Sequence, residues 1–258
     1  MLPASTRVIA PKKSLGQNFL RDPNTVRRIA AALEPATGGG VVEIGPGLGA
    51  LTADLLARFP KMAALEVDQR AIEHLRTALP ALDVRHTDVL EADWAALARD
   101  LGAPLSVIGN LPYYITSPIL FALLDARAVV GEVVVMMQRE VAERLVAAPR
   151  TKAYGILSVA VQRYADVRLL FRVPPTVFHP RPNVESAVVR LVMRPDAPPV
   201  STHDAHVRAV LRMAFNQRRK MLRGALAAYG TVPEPWATQR AEELTPADFD
   251  ALATALRR

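Results

Sequence analysis

The 258-residue chain contains no cysteine. Disulfides, thiol nucleophiles, and zinc or iron–sulfur sites built on thiolates are therefore excluded. The five histidines show no spacing typical of metal ligands, so we expect no metal site. The longest apolar stretch, Val129–Met137, is interrupted by Gly131 and Glu132 and is far shorter than the ~18 residues of a membrane span. The N-terminus also lacks the apolar core of a signal peptide, so we expect a cytoplasmic protein.

Acidic residues are too few to balance the basic ones. The chain has 32 lysines and arginines against 25 aspartates and glutamates, which gives a formal charge of +7. This excess favours a polyanionic partner, with nucleic acid first and an acidic membrane surface second. Half of the residues are hydrophobic, as is typical of a globular chain and not of a disordered one.

From residue 41 onward, short apolar strands alternate with helical segments. This alternation predicts an α/β fold with a parallel sheet covered on both faces. The predicted strands are residues 41–44, 62–67, 82–86, 105–108 and 130–136, and the predicted helices are 51–59, 69–79, 117–124 and 139–146. Two later strands, Val167–Arg172 and Ser186–Met193, have no helix between them and predict an antiparallel pair. Ahead of the sheet, Asp22 followed by Pro23 predicts the start of a helix.

The pattern changes after a proline-rich stretch, residues 194–200, which is typical of a linker. Beyond it only helices are predicted, the first over residues 206–223. We therefore expect two domains, residues 1–197 and residues 198–258, the first of which begins with a basic arm, residues 1–20.

A glycine-rich loop and two acids follow the first three strands. Gly45, Gly47 and Gly49 stand between a strand and a helix, where glycine lets the backbone approach a ligand closely. Their spacing differs from that of dinucleotide binders, and a simple tight turn is the alternative. Glu66, 21 residues after Gly45, is placed to bind ribose hydroxyls. Asp88 could accept a hydrogen bond from an adenine amino group or cap a turn.

The segment Asn110-Leu111-Pro112-Tyr113 directly follows the fourth strand. It therefore stands at the carboxyl edge of the predicted sheet, where such sheets bind ligands. The Asn110 side-chain oxygen and a backbone carbonyl can both accept hydrogen bonds from one exocyclic amino group, while the Tyr113 ring stacks on the base. The segment predicts a nucleobase site.

Together these motifs make the chain similar to the ribosomal RNA adenine N6-dimethyltransferase family. The resemblance covers essentially the whole chain in order; it is carried by the glycine loop, Glu66, Asp88, Lys13–Leu20, Asn110–Tyr113, Met137–Leu145, Phe178–Ser186 and Phe215–Arg223. It implies a class I, Rossmann-like methyltransferase domain with a mostly parallel seven-stranded sheet, followed by a small all-helical domain that binds RNA or the ribosome. The implied cofactor is S-adenosyl-L-methionine.

The resemblance also implies roles for single residues. The implied catalytic residues are Asn110, Leu111, Tyr113 and Phe178, with Phe178 stacking on the target base opposite Tyr113. The implied cofactor-binding residues are Asn18, Leu20, Gly45, Gly47, Glu66, Asp88 and Asn110. The sequence departs from the family at Thr87, where glycine is expected before the acid.

Within the family, the chain is most similar to the bacterial small-subunit enzymes. These dimethylate two adjacent adenines in a hairpin loop near the 3′ end of 16S ribosomal RNA. The implied partner is small-subunit ribosomal RNA or an immature 30S particle, bound by a monomer. The alternatives are a large-subunit RNA methyltransferase of the macrolide-resistance type, a non-catalytic ribosome-assembly factor, and a nicotinamide-dependent oxidoreductase, which the glycine spacing disfavours.

Residues 206–223 hold six arginines and lysines and no acid. On one continuous helix, Arg208, Arg212, Arg219 and Arg223 would share a face. Such a face can simply be solvated, but the uncompensated charge favours contact with RNA phosphates. A second basic footprint is predicted from Lys12, Lys13, Arg21, Arg27 and Arg28.

Overall fold

The computed structural model describes residues 10–12, 15–196 and 201–256. They form two compact units. The first holds the described residues up to Arg139 together with Leu170–Arg190, and the second holds Glu140–Leu169 together with the described residues from Leu191 onward. Lys13 and the last four residues of the predicted linker lie outside the described residues.

The helices and strands alternate along most of the chain. The strands are β1 Phe19–Leu20, β2 Val41–Ile44, β3 Met62–Glu66, β4 Asp83–His86, β5 Leu105–Asn110, β6 Val130–Gln138, β7 Ala165–Val173, β8 Phe178–His179 and β9 Ser186–Met193. The helices are α1 Pro23–Ala31, α2 Thr52–Arg58, α3 Gln69–Ala78, α4 Trp94–Leu101, α5 Thr116–Asp125, α6 Arg139–Leu145, α7 Ile156–Gln162, α8 Thr202–Asn216, α9 Leu222–Ala225 and α10 Pro246–Ala255. Within the described ranges, no helix has the length and apolar character that crossing a membrane requires.

Seven strands form one sheet in the order β4-β3-β2-β5-β6-β9-β7. The pairs β2–β3, β2–β5, β3–β4 and β5–β6 are parallel. The α/β prediction is confirmed, and every predicted strand lies within two residues of an observed one at each end. Because β3 and β5 flank β2 on opposite sides, the chain reverses its direction of winding at β2. The carboxyl ends of β2 and β5 therefore border the crevice in which such sheets bind ligands.

The predicted start of α1 is confirmed. Asp22 caps the helix by accepting a hydrogen bond from the Thr25 N–H at 2.7 Å, and Pro23 occupies the first turn. The buried face of α1, with Val26 and Ile29, packs into the core of the first unit. The late strands β9 and β7 are neighbours in the sheet, as predicted.

The second unit has a hydrophobic core of its own, in which three aromatic residues are buried among aliphatic ones. The rings of Phe215 and Phe249 are stacked with centroids 5.7 Å apart, and the Tyr154 hydroxyl donates to the Leu244 carbonyl at 2.9 Å. Tyr154 and Val159 belong to the segment Glu140–Leu169, yet they bury their side chains in this core. The compact unit is therefore not a continuous segment, and the boundary predicted at residue 198 does not separate the two units. The roles of the two domains remain predictions.

The predicted continuous helix over residues 206–223 is wrong, because α8 ends at Asn216. Gln217 leaves the helical region with φ −120° and ψ 44°, and Met221 is extended with ψ 151° before α9 begins. Between them, the Arg218 guanidinium donates to the Tyr154 carbonyl at 3.0 Å and to Glu242 at 3.1 Å. These hydrogen bonds hold the turn in place.

Candidate active site

A cavity of about 410 Å³ opens at the carboxyl ends of β2, β3 and β5. This volume is typical of small-molecule sites. Of the ten residues that sequence and resemblance assign to catalysis or the cofactor, nine line it: Asn18, Leu20, Gly45, Gly47, Glu66, Asp88, Asn110, Leu111 and Tyr113. The structure therefore brings together residues that are up to 95 positions apart in the sequence (Asn18 and Tyr113).

The glycine loop depends on glycine in both backbone and space. Gly45 and Gly47 have φ values of 63° and 56°, a left-handed conformation that side chains disfavour. A Cβ on Gly47 would lie 3.1 Å from the ring of Phe19, which belongs to the N-terminal arm. A side chain at this position would require the Phe19 ring to move by a few tenths of an ångström.

The Glu66 carboxylate holds the glycine loop through a hydrogen bond. Its Oε2 accepts from the Gly47 N–H at 3.1 Å, and its Oε1 accepts from the Val67 and Asp68 N–H groups at 2.8 and 2.9 Å. A carboxylate offers about four acceptor positions, so one remains for a ligand hydroxyl. The residue can fix the loop and bind a ribose at the same time.

Asp88 caps a turn, which is one of the two roles that its sequence position left open, and its adenine-binding role stays a prediction. Its Oδ1 caps a short 3₁₀ turn by accepting from the Leu90 N–H at 2.9 Å, and the residue also lines the cavity. The departure at Thr87 leaves the turn intact. Among the described non-glycine residues, positive φ is confined to Arg150, so the backbone at Thr87 does not need glycine.

Asn110 is the last residue of β5, and its side chain contacts the N-terminal arm. The Asn110 Nδ2 donates to the Asn18 carbonyl at 3.0 Å. A carbonyl oxygen can only accept, so the amide must turn its nitrogen towards Asn18. Its Oδ1 is thereby left as an acceptor for another group. The following residue, Leu111, is fixed by a hydrogen bond from its N–H to the Met136 carbonyl at 3.0 Å.

Tyr113 is held by its hydroxyl, which lies 2.6 Å from the Ser186 Oγ. Burial raises the pKa of Tyr113, although the hydrogen bond with Ser186 opposes that rise, so the phenol is neutral at physiological pH. The next residue, Tyr114, also lines the cavity but is 60% exposed. Two adjacent aromatic rings therefore stand at the cavity, one fixed and one open to solvent.

Phe178 is the predicted site residue that the structure does not bring to the cavity. It is 5% exposed and packs in the core of the first unit. Strand β8 pairs with β1, with Phe178 opposite Leu20, and the neighbouring His179 lines the cavity. The stacking role of Phe178 stays a prediction.

Glu43 is a cavity residue that sequence reasoning missed. It lies in the centre of β2 with 1% exposure, and its Oε2 has no hydrogen-bond partner among the described residues. Burial raises the pKa of Glu43 to about 8; the nearby Thr52 hydroxyl opposes this rise, and the neighbouring charge of Glu66 adds to it. The signal in the sequence was an acid inside the apolar run of β2.

The four predicted RNA-binding arginines do not share one helix face. Arg208 and Arg212 are one turn apart on α8, Arg219 lies in the turn that follows, and Arg223 lies on α9. Arg208 is half-buried, whereas the other three are exposed. The predicted face is therefore wrong as a helix face, but three of its arginines are accessible.

Comparisons with known proteins identify the family. The profile described as "Ribosomal RNA adenine dimethylase" matches residues 9–245. A "Ribosomal RNA small subunit methyltransferase A" from Salinibacter ruber is 53% identical over 248 residues, which are 94% of this chain and 84% of that protein.

Solved structures agree on the fold. A dimethyladenosine transferase from Plasmodium falciparum superposes with a TM-score of 0.76 at 24% identity, over 91% of this chain and 95% of that one. The 23S rRNA methyltransferase ErmE gives 0.69 at 25% identity, over 93% of this chain and 100% of that one. The fold is that of a Rossmann-like methyltransferase, and the chain belongs to the ribosomal RNA adenine dimethylase family.

Proposed function

We propose that this enzyme transfers methyl groups from S-adenosyl-L-methionine to N6 of two adjacent adenines in a hairpin loop near the 3′ end of small-subunit ribosomal RNA. The observation that carries the proposal is one cavity lined by both the glycine loop with its two acids and the segment Asn110–Tyr113. The small-subunit branch is favoured because the relative of that name is 53% identical, against 25% for the 23S enzyme.

The residues of the cavity fit S-adenosylmethionine. Glu66 keeps one acceptor position, which would accept from a ribose hydroxyl, and Asp88, which also lines the cavity, would accept from the adenine amino group. Gly45 and Gly47, whose positive φ values favour glycine, would let the methionine portion approach the backbone. When bound, S-adenosylmethionine supplies an electrophilic methyl group on a sulfonium.

The chain's own residues make the adenine amine reactive by placing it. The N6 lone pair is delocalised into the purine ring and is a poor nucleophile. Asn110 Oδ1 and the Leu111 carbonyl would accept hydrogen bonds from the two N–H groups, favour a pyramidal nitrogen and expose its lone pair. Tyr113 would stack on the base. This chemistry depends on placement and electrostatics and needs no strong base.

The target adenine must leave its stack to enter the cavity, which costs less in a loop than in a duplex. The accessible Arg212, Arg219 and Arg223 would bind RNA phosphates. The substrate would be small-subunit RNA within an immature 30S particle, bound by a monomer in the cytoplasm, where ribosomes are assembled.

The test is incubation with tritiated S-adenosylmethionine and ribosomal subunits from cells that lack the modification. We expect label on adenine in small-subunit RNA. Label confined to large-subunit RNA would favour the macrolide-resistance type of activity. Binding to small subunits without any label transfer would favour the non-catalytic assembly factor.

A further inference from the structure

The described part of the N-terminal arm, residues up to Leu20, is tied down at Asp68. The Lys12 Nζ lies 3.2 Å from Asp68 Oδ1, and the Gln17 Nε2 donates to Asp68 Oδ2 at 3.1 Å. Arg70 donates to the same carboxylate at 2.6 and 3.0 Å and also to the Ala10 carbonyl at 3.2 Å. The Asp68 side chain has no exposed surface, whereas the side chains of Lys12 and Arg70 that cover it are 45% and 38% exposed.

Helix capping does not account for this arrangement. Asp68 caps α3 by accepting from the Arg70 N–H at 3.3 Å, which is all that its sequence position suggests. Its other hydrogen bonds come from side chains, two of them on the arm. The hydrogen bonds from Arg70, and after them those from Gln17 and Lys12, hold the pKa of Asp68 well below its usual range, although burial opposes them. The carboxylate is therefore ionised at physiological pH.

Asn18, the residue that follows Gln17, brings the arm into contact with Asn110 at the proposed reaction centre. The carbonyl of Asn18 accepts from Asn110 Nδ2 at 3.0 Å, and the Asn18 side chain donates to the Gly16 carbonyl at 3.2 Å, which stabilises the turn there. The two ends of a carboxamide have nearly the same shape but opposite hydrogen-bonding character. Without the Asn18 carbonyl, half a turn about the last side-chain bond would present Nδ2 to the substrate amine, where it cannot accept.

We propose that Asp68 is a positioning residue for methyl transfer. Through Lys12 and Gln17 it holds the arm in place, and the Asn18 carbonyl then keeps Asn110 Oδ1 directed at the adenine amine. This inference rests on the proposed function, because it assigns the arm a part in that reaction.

The first test is Asp68→Asn, which keeps the shape of the side chain and its ability to cap α3. It removes the charge that Lys12 and Arg70 require. We expect the single-turnover rate of label transfer to small subunits, at saturating S-adenosylmethionine, to fall about ten- to a hundredfold, as for other small misplacements of a reacting group. The affinity for S-adenosylmethionine should change far less. The control is Asp83→Asn, which breaks an exposed pair with Arg85 and should transfer label at the wild-type rate.

Variants of the two arm residues that bind Asp68 test the same interactions. Gln17→Ala and Lys12→Met leave the Asp68–Arg70 pair intact, and each should slow transfer. Because both partners belong to one clamp, Asp68→Asn combined with Gln17→Ala should be no slower than Asp68→Asn alone. The arm variants also decide the matter if Asp68→Asn does not fold. A direct readout is the exchange of the Asn110 side-chain amide protons with solvent, measured by NMR, which should be faster in Asp68→Asn.

Three results would overturn the inference: a wild-type transfer rate in Asp68→Asn or, if that variant does not fold, in both arm variants; a defect that saturating S-adenosylmethionine abolishes; or additive losses in the double variant. Failure of the proposed function looks different, because the wild-type enzyme itself would then transfer no label to small subunits.

Discussion

Each compact unit contains a cluster of polar side chains. In the second unit the charges of the cluster are paired with one another, whereas in the first unit some polar atoms have no partner in the protein. In the second unit, Arg163 lies 2.7 Å from Asp204, with both side chains 4% exposed, and its Nε lies 2.7 Å from Asp250. These charges are paired inside the protein. At the cavity of the first unit, Glu43 has an oxygen without a partner among the described residues, and Asn110 has an acceptor left over.

The difference separates stability from function. A buried polar group without a partner costs about 1–3 kcal/mol, so a cluster tends to be completed where only folding matters. Donors and acceptors around a cavity that have no partner in the protein can instead form hydrogen bonds with a ligand. The groups at the cavity that have no partner in the protein are available to a ligand, whereas those of the Arg163 cluster are already paired.

The largest effect is expected from breaking the completed cluster. Arg163→Met would leave the buried Asp204 without its cation, and such changes cost about 3–5 kcal/mol. The measurement is the free energy of unfolding in urea. The same substitution at Arg85, whose partners Asp83 and Asp100 are about half-exposed, should cost no more than about 1 kcal/mol. Equal losses in the two variants would contradict the comparison.

At the cavity we expect a large loss of activity with little loss of stability. Asn110→Ala should lower the single-turnover rate of methyl transfer at least about a hundredfold, because it removes a preorganised hydrogen-bond acceptor from the reacting amine. Stability and RNA binding should stay close to those of the wild type. Asn24→Ala, on the exposed side of α1, serves as the control. Near-wild-type turnover in Asn110→Ala would refute the role of this side chain.

The buried Glu43 predicts a pH-dependent stability. Its pKa is raised from 4.5 to about 8 on folding, so between these values the folded state keeps a proton that the unfolded state releases. The stability due to this group is therefore present at low pH and is lost as the pH rises from about 4.5 to 8. Relative to Glu43→Gln, the free energy of unfolding of the wild type should fall by about 2–3 kcal/mol between pH 5 and pH 7.

The measurement is urea unfolding at both pH values. Glu73→Gln, which replaces an acid on the outer side of α3, is the matched control and should show no such difference. A parallel pH dependence in wild type and Glu43→Gln would show that Glu43 is ionised in the folded protein.

The smallest effect concerns the accessible arginines of the second unit. Replacing Arg212, Arg219 or Arg223 by Gln should weaken RNA binding modestly. The slope of log K against log salt should become shallower by about 0.7–0.9 for each phosphate that is no longer neutralised. Arg99→Gln, at an exposed arginine on α4, should leave the slope unchanged. Unchanged slopes in all three variants would exclude this segment from the RNA interface.

Local sequence predicted the parts of the fold that local physics determines. The strands around the site were found because apolar runs end in glycine or polar residues, and β2 and β9 match to the residue. The cavity residues followed, since parallel strands bring their carboxyl ends to one edge. The helix α4 was missed, although Asp93 caps it by accepting from the Ala96 N–H at 2.8 Å.

Contacts between segments that are distant in the sequence could not be predicted from local sequence patterns. The pairing of β1 with β8 joins Leu20 to Phe178, and it is this pairing that buries Phe178. Asp68 likewise binds residues 51 and 56 positions away. The end of α8 at Asn216 depends on Arg218, whose partners come from other segments of the chain.

The central claim is that one cavity dimethylates two neighbouring adenines in small-subunit RNA. Its most direct test is mass spectrometry of RNA fragments after exhaustive reaction of unmodified small subunits with the wild-type enzyme. We expect N6,N6-dimethyladenosine at two adjacent positions in a 3′-terminal hairpin loop, and far less of it when Asn110→Ala reacts for the time that the wild type needs for completion. Dimethyladenosine in large-subunit RNA alone, or unmodified adenines throughout, would contradict the claim.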